Sequence, residues 1–557
     1  MSPVRLSRRE FIAASGAGAL GCAAGQEGGS RVASGMVAAS QRHASKAGIE
    51  ILRAGGNAAD AAVAAAAALN LTEPMSTGLG GDMFALYFDA SSRKISALNG
   101  SGRAPAALSI DLLRRQGLDP WPAHHAHTVT VPGACAGWFD LVARHGTMPM
   151  AKILAPAIRL AEEGFAVGDW TAQGWSGGLR LLAQSPGGKE LTIDGRAPRR
   201  GETFRNPTLA RTFKTISEGG KDAYYKGEIG RGVAAAVRAA GGVMTAEDVA
   251  AHESTWEEPI STTYRGMRVW ECPPNGQGLT ALIALNILEG FELKGQDPLG
   301  ADRWHLLIEA MRLAFADARW YVADPSVSKV PAQELLSKEY AAKRRALLDP
   351  KKASTDLRRG SPVAGSDTVY FCVVDGRGNA CSFINSNYMG FGTGIVPTGW
   401  GFTLQNRGHC FSLDPAHPNA LAPRKRPYHT IIPAMLTRAD GTLYAPYGVM
   451  GGFMQPQGHV QVAVGIVDDA LEPQAALDRP RFCIQPVDGK ESSIHLEAGL
   501  PAATAEALRR LGHPVTPGVA GYARALFGRG QIIRRDSGGV LTGGSDPRAD
   551  GAALGDP

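Results

Sequence analysis

The chain has 557 residues, 44% hydrophobic and 20% charged, which is the balance of an ordinary globular protein with apolar side chains enough for a large core. A formal net charge of +6 is small for this length, and no long basic block occurs. The electrostatic footprint of a nucleic-acid binder is therefore missing, and a small-molecule partner is expected.

Residues 1–30 read as an export signal. Arg8-Arg9 precede a short, weakly apolar stretch from Ala13 to Leu20 that ends in small residues, the layout of a twin-arginine leader. Leu20-Gly21-Cys22 adds a lipid-acceptor pattern at Cys22. A periplasmic or otherwise extracytoplasmic protein is expected, with no transmembrane span in the mature chain, because no later run is long and apolar enough. Six cysteines remain, Cys135, Cys272, Cys372, Cys381, Cys410 and Cys483. None has Cys-x-x-Cys spacing, so no zinc site is implied.

Asn57 is a suitable N-cap for a helix running from Ala58 through an alanine run to Leu71. The glycine-rich turn 76–82 then leads into a strand at 83–88. Because Gly78-x-Gly80-Gly81 precedes a strand instead of joining strand to helix, a dinucleotide-binding reading fails. Residues 128–131 alternate and predict a strand stopped by Pro132-Gly133. Helical spacing marks 151–163, 227–240, 247–252, 278–289 and 303–323, and 264–270 predicts one strand. The segment 351–365 is polar and broken by glycine and proline, as a processed connector requires.

Beyond the connector, Thr368 stands at the head of the apolar run 369–374, a pattern for a strand covered on both faces. An Asp-Thr pair before a strand is by itself ordinary turn chemistry. A threonine hydroxyl becomes a nucleophile once a base takes its proton, and an N-terminal threonine supplies that base from its own α-amine, which titrates at about 7.7 to 8.0. Here that requires cleavage between Asp367 and Thr368. Further strand-like runs follow at 380–384, 395–404, 430–436 and 461–467. Between them Gly451-Gly452 offers two bare backbone N–H groups, suited either to an oxyanion hole or to a tight turn.

Many ordered matches give these residues a common meaning. They include 55–63 (Gly-Gly-Asn-Ala-Ala-Asp-Ala-Ala-Val), Glu73-Pro74 through Gly81, Val131-Pro132-Gly133, Gly146-Thr147-Met148-Pro149, Tyr224-Tyr225-Lys226-Gly227 and Tyr264-Arg265-Gly266. In the second half they are 368–375, Gly392-Thr393-Gly394, Arg426-Pro427, Gly451-Gly452, 475–481 and Ser545-Asp546-Pro547-Arg548. In these stretches the chain resembles the γ-glutamyltranspeptidase family of N-terminal nucleophile hydrolases. The resemblance implies an α/β (α+β) fold, a four-layer αββα sandwich, with Thr368 as nucleophile and Gly451 and Gly452 as the oxyanion pair. It also implies self-cleavage into a large fragment, 31–367, and a small one, 368–557, that together form one unit. A dimer of such heterodimers is an arrangement it allows, and no metal or cofactor is implied.

Four departures bear on the acyl pocket. Arg103, the candidate for a substrate carboxylate, directly abuts Ala104-Pro105. Cys410 stands before Phe411-Ser412 where the family has an aspartate for the α-ammonium. His429 and Thr430 replace a Ser-Ser pair, and the segment 411–426 is too short for the family's lid. Arg103, Asn387, Tyr388, His429 and Thr430 are the candidate substrate contacts. Two enzymatic readings follow: cleavage of γ-glutamyl amides such as glutathione with transfer to water or an amine, or a glutaryl or cephalosporin-type amide acylase. A third, of another class, is an unprocessed binding protein in which Thr368 never becomes N-terminal.

Overall fold

The computed structural model describes residues 31–32, 35–355, 367–487 and 490–556. The expected export signal, with Cys22, lies outside them, as does most of the 351–365 connector.

The apolar run after Thr368 forms the strand Asp367–Val374, and all its residues from Thr368 on are buried. It lies near the centre of a seven-stranded antiparallel sheet, between Gly35–Ala39 and Ala380–Tyr388. The sheet continues from Ala380–Tyr388 through Asp82–Asp89 and Lys94–Gly100 to Thr255–Glu257, and its other edge is Ala552–Asp556. A second seven-stranded antiparallel sheet faces it, in the order Arg31–Val32, Leu541–Ser545, Arg529–Arg535, Leu443–Met450, Ala434–Thr437, Met267–Glu271, Ile260–Tyr264. The two are pressed closely together: a Cβ on Gly448 would come 2.6 Å from the Tyr370 ring, so only glycine fits there.

Helices cover both outer faces, completing the αββα sandwich. The alanine-rich helix Ala58–Thr72 is wholly buried and lies on Asp367–Val374 and Ala380–Tyr388, its methyl side chains allowing close approach. Asn57 caps it in a reciprocal box with Asp60. Asp375, at the turn after Asp367–Val374, accepts from Ala58 N at 3.1 Å and Asn379 N at 3.0 Å. One carboxylate thus ties hairpin to helix, so the Gly-Gly-Asn-Ala-Ala-Asp motif anchors the central strand. On the other face Gly278–Leu288 and Met454–Val467 pack on the second sheet, and Ala301–Tyr321 packs on Gly278–Leu288.

Several expected strands take other forms. Residues 461–467 are the end of the helix Met454–Val467, because this β-branched run is buried in the outer layer and burial overrides propensity. The expected strand 264–270 is a hairpin, Ile260–Tyr264 and Met267–Glu271, closed by Arg265 and Gly266 at φ of 51° and 82°, the left-handed pair that a two-residue hairpin turn needs. Residues 128–131 belong to no ladder; Ala126–Thr128 is a 3₁₀ turn, and Val131 N donates to Arg103 O at 3.0 Å. Residues 395–404 also form no strand, since the backbone turns through left-handed Gly399 and Gly401. In 430–436 the strand begins only at Ala434. Among the described residues no helix is long and apolar enough to cross a membrane.

Candidate active site

Asp367 pairs with Tyr388 and Val369 with Asn385, so the register slips at Thr368. Such a bulge re-aims a side chain out of the ladder. The Thr368 side chain is buried, with Oγ1 at 3.0 Å from Ser386 Oγ and 3.5 Å from Gln455 Nε2, which donates to it. Ser386 Oγ in turn accepts from Tyr388 N at 2.9 Å and Arg407 Nη2 at 3.2 Å. No imidazole or carboxylate among the described residues hydrogen-bonds to the threonine hydroxyl.

Gly451 and Gly452 connect the strand Leu443–Met450 to the helix Met454–Val467. Their φ values are 129° and 59°, and the carbonyls turn inward to accept from Met454 N and Gln455 N at 3.0 and 3.2 Å. Gln277 Nε2 clamps the Gly452 carbonyl at 2.8 Å and the Thr430 carbonyl at 2.7 Å. In the hydrogen-bond network of the described residues neither glycine N–H has an acceptor. Gln455, at the start of the helix, accepts from Ile432 N at 2.9 Å while its amide reaches Thr368 Oγ1, joining the glycine turn to Thr368.

The other expected residues divide. Thr430 Oγ1 accepts from Arg407 Nη1 at 2.6 Å, and the Arg407 guanidinium lies 4.5 Å over the Tyr388 ring, so Thr430 and Tyr388 share one neighbourhood with Ser386. His429 faces away: its Nε2 is 3.0 Å from Asp82 Oδ2, and its Nδ1 accepts from Ile431 N. Burial first, then the nearby Arg407, outweigh Asp82 and hold the imidazole down at about 3, so it is neutral and donates from Nε2. Asp82 also accepts from Gly102 N, Gly133 N and Gln405, which makes His429 part of a structural knot. Asn387 bonds Thr403 Oγ1 at 3.1 Å and Pro74 O at 3.4 Å, while its own Oδ1 has no donor. Arg103 is paired with Asp324 at 3.3 Å and reaches the Arg424 carbonyl; it makes no contact with Thr368 or Ser386. All six described cysteines are free thiols.

Sequence reasoning missed Ser386, Gln455, Gln277 and Arg407. Ser386 carried a signal: Asn385-Ser386-Asn387 ends an otherwise apolar strand, and buried polar side chains on a central strand demand partners. Arg407, between Asn406 and Gly408, carried none.

The Gamma-glutamyltranspeptidase family model matches residues 44–556. The chain belongs to that family. As a γ-glutamyltranspeptidase-family enzyme it is 36% identical over 522 residues to the glutathione hydrolase-like YwrD proenzyme of Bacillus subtilis, covering 93% of this chain and 98% of that one. It is likewise 36% identical over 534 residues to the oxamate amidohydrolase proenzyme of Klebsiella pneumoniae, covering 94% and 98%. Among solved structures the cephalosporin acylase from Bacillus halodurans superposes with a TM-score of 0.88 at 45% identity, covering 96% of this chain and 97% of that one. Family membership and this fold go together, and the αββα sandwich is that of the N-terminal nucleophile hydrolases.

Proposed function

We propose that the protein is a self-processing amide hydrolase whose nucleophile is Thr368, released as an N-terminal residue by cleavage after Asp367. The observation that carries this reading is the buried Thr368 hydroxyl at a bulge, linked through Gln455 to a turn whose two N–H groups are unclaimed. In the precursor Thr368 Oγ1 attacks the Asp367 carbonyl and expels the Thr368 nitrogen, so the peptide bond becomes an ester and the α-amine is freed; water then hydrolyses the ester, releasing the Asp367 carboxylate and restoring the Thr368 hydroxyl. The same hydroxyl then attacks a substrate amide and the α-amine takes its proton. Gly451 and Gly452 N–H groups hold the developing oxyanion. The leaving amine departs with the proton, and water, or a second amine, takes the acyl group from the ester. Relatives described as proenzymes support the processing step.

The leader at 1–30, with Arg8-Arg9, sends the precursor out of the cytoplasm, and Cys22 is its lipid acceptor. The fragments 31–367 and 368–557 remain one body. The acyl donor is a small amide, of the γ-glutamyl class represented by glutathione or of the side-chain acyl class represented by cephalosporins. Cys410 favours the second, because a thiol pushed up by burial gives an ammonium no counter-charge.

The test is denaturing electrophoresis with intact mass and N-terminal sequencing, beside Thr368→Ala. Two fragments, the smaller beginning at Thr368, with the variant left whole, are expected. A single uncut chain in both samples overturns the reading and leaves the binding-protein alternative.

A further inference from the structure

Arg407 is fully buried, beside the proposed nucleophile, and has no counter-ion among the described residues. Its Nη2 donates to Ser386 Oγ at 3.2 Å and its Nη1 to Thr430 Oγ1 at 2.6 Å, while Cys410 Sγ lies 4.0 Å away. These are neutral partners. Its Nε, also buried, has no acceptor, and no carboxylate among the described residues pairs with the guanidinium. A guanidinium stays protonated at any physiological pH, and buried arginines are ordinarily paired with an acid. The other deeply buried arginines obey that rule: Arg303 is paired with Asp469 at 2.8 Å, and Arg481 and Arg548 with Asp546 at 2.8 and 2.9 Å. A second guanidinium, Arg319, buried against the Phe453 ring at 4.4 Å, acts on the same Tyr388 and Cys410 side chains and adds to the positive field.

We infer that Arg407 receives the carboxylate of the acyl group, so that the substrates are monoamides of short dicarboxylic acids without an α-ammonium. This rests on the amide-hydrolase reading above and narrows it. Arg407 is two hydrogen bonds from Thr368 Oγ1, through Ser386, which places Nη2 within about 6 Å of the nucleophile. An acyl carbon on Thr368 and a carboxylate on Arg407 then span a chain of about two to five carbons, oxalyl to glutaryl. A γ-glutamyl chain fits that length but brings an ammonium up to the Arg407 guanidinium, where no acid among the described residues offers it a counter-charge. Arg103, the arginine the sequence suggested, already has Asp324.

The experiment measures hydrolysis of 4-nitroanilides by the processed protein: glutaryl, succinyl, L-γ-glutamyl and butyryl, the last with the four carbons of succinyl but no carboxylate. Wild type is compared with Arg407→Gln and Arg407→Lys. Wild type is expected to favour glutaryl or succinyl over both butyryl and γ-glutamyl by about 10- to 100-fold in kcat/KM, the size of one charge-assisted hydrogen bond. Arg407→Gln brings the glutaryl-to-butyryl ratio of kcat/KM towards one, mainly by raising KM for glutaryl, and Arg407→Lys restores part of the ratio. If a cut, active wild-type enzyme is indifferent to the acyl carboxylate, or prefers γ-glutamyl, the inference fails and the nucleophile stands. If the chain is uncut and cleaves no anilide, the nucleophile fails and the inference with it. The wild-type panel decides even if Arg407→Gln does not mature.

Discussion

Thr368 has hydroxyl and amide neighbours, Ser386 and Gln455, where a serine protease would have an imidazole. In the proposed mechanism the base is the α-amine that cleavage exposes, and Thr368→Ser, which keeps a hydroxyl, is expected to yield two fragments where Thr368→Ala yields one. Ser386→Ala removes a partner from both Thr368 and Arg407, so maturation and kcat are each expected to fall by about 10-fold, read by timed electrophoresis and by anilide turnover. Another single-residue effect lies outside the site. Glu271 and His459 are both fully buried, 2.7 Å apart. Burial pushes the carboxyl well up and the imidazole down to about 3, and the pair holds one proton between them in the fold. Unfolded, it holds none above about pH 6.5. The folded state therefore binds more protons there, and stability falls as pH rises by up to about 1.4 kcal/mol per unit. Glu271→Gln is expected to lose that slope and to gain Tm on wild type between pH 7 and 9. The place of Thr368, at the head of a buried central strand, was legible because the apolar run 369–374 follows it directly. Arg407 was not, because what marks it is the lack of an acid in three dimensions, and a sequence does not record absences of contact.

At the scale of elements, the glycine turn is where shape and chemistry meet. Gly451 has a φ of 129°, which L side chains rarely adopt, and a Cβ there would come 3.2 Å from Gly528 Cα. Gly451→Ala is expected to cost about 1–2 kcal/mol in stability and, by turning an N–H away, about 10²- to 10³-fold in kcat. Asn57→Ala is the control: it removes the cap of Ala58–Thr72 for a similar cost, about 1 kcal/mol, but leaves the glycine N–H groups in place, so kcat should hold while Tm drops. The elements legible in the sequence were those with a local cause, such as Asn57 capping the alanine helix or Gly164 ending Met150–Glu163. The 461–467 run was misread because its β-branched residues are helical only through the second sheet they pack on. The 260–271 hairpin was misread because a turn centred on arginine lacks the usual Asn-Gly signal.

Across the whole molecule, the chain is threaded so that cleavage at Asp367–Thr368 opens no seam. Gly35–Ala39, from the proposed large fragment, is hydrogen-bonded on one side to Asp367–Val374 and on the other to Ala552–Asp556 from the small one. The second sheet alternates in the same way, with Ala434–Thr437 paired to Met267–Glu271. The fragments should co-elute under native conditions and part only in denaturant. What closes the far end is electrostatic: Asp546 holds Arg481 and Arg548 at 2.8 and 2.9 Å and accepts from Gly530 N at 2.8 Å, and Glu497 takes the other side of Arg548. The Ser-Asp-Pro-Arg motif is thus a buried lock on the strands of the small fragment. Burial alone would raise the Asp546 carboxyl, yet Arg481 and Arg548 outweigh it and hold it below the usual range. A depressed carboxylate contributes stability above its unfolded pKa, about 3.9, and loses it as pH falls through the folded value. Wild-type Tm is therefore expected to be steady from about pH 5 upward as far as this group is concerned and to fall below about pH 4. Asp546→Asn should remove part of that acid limb while lowering Tm at pH 7, because the buried Arg481 guanidinium then loses its paired carboxylate and Arg548 keeps only Glu497, a loss of about 3–5 kcal/mol. A variant whose neutral-pH Tm is unchanged would show that the lock does not bear on the fold.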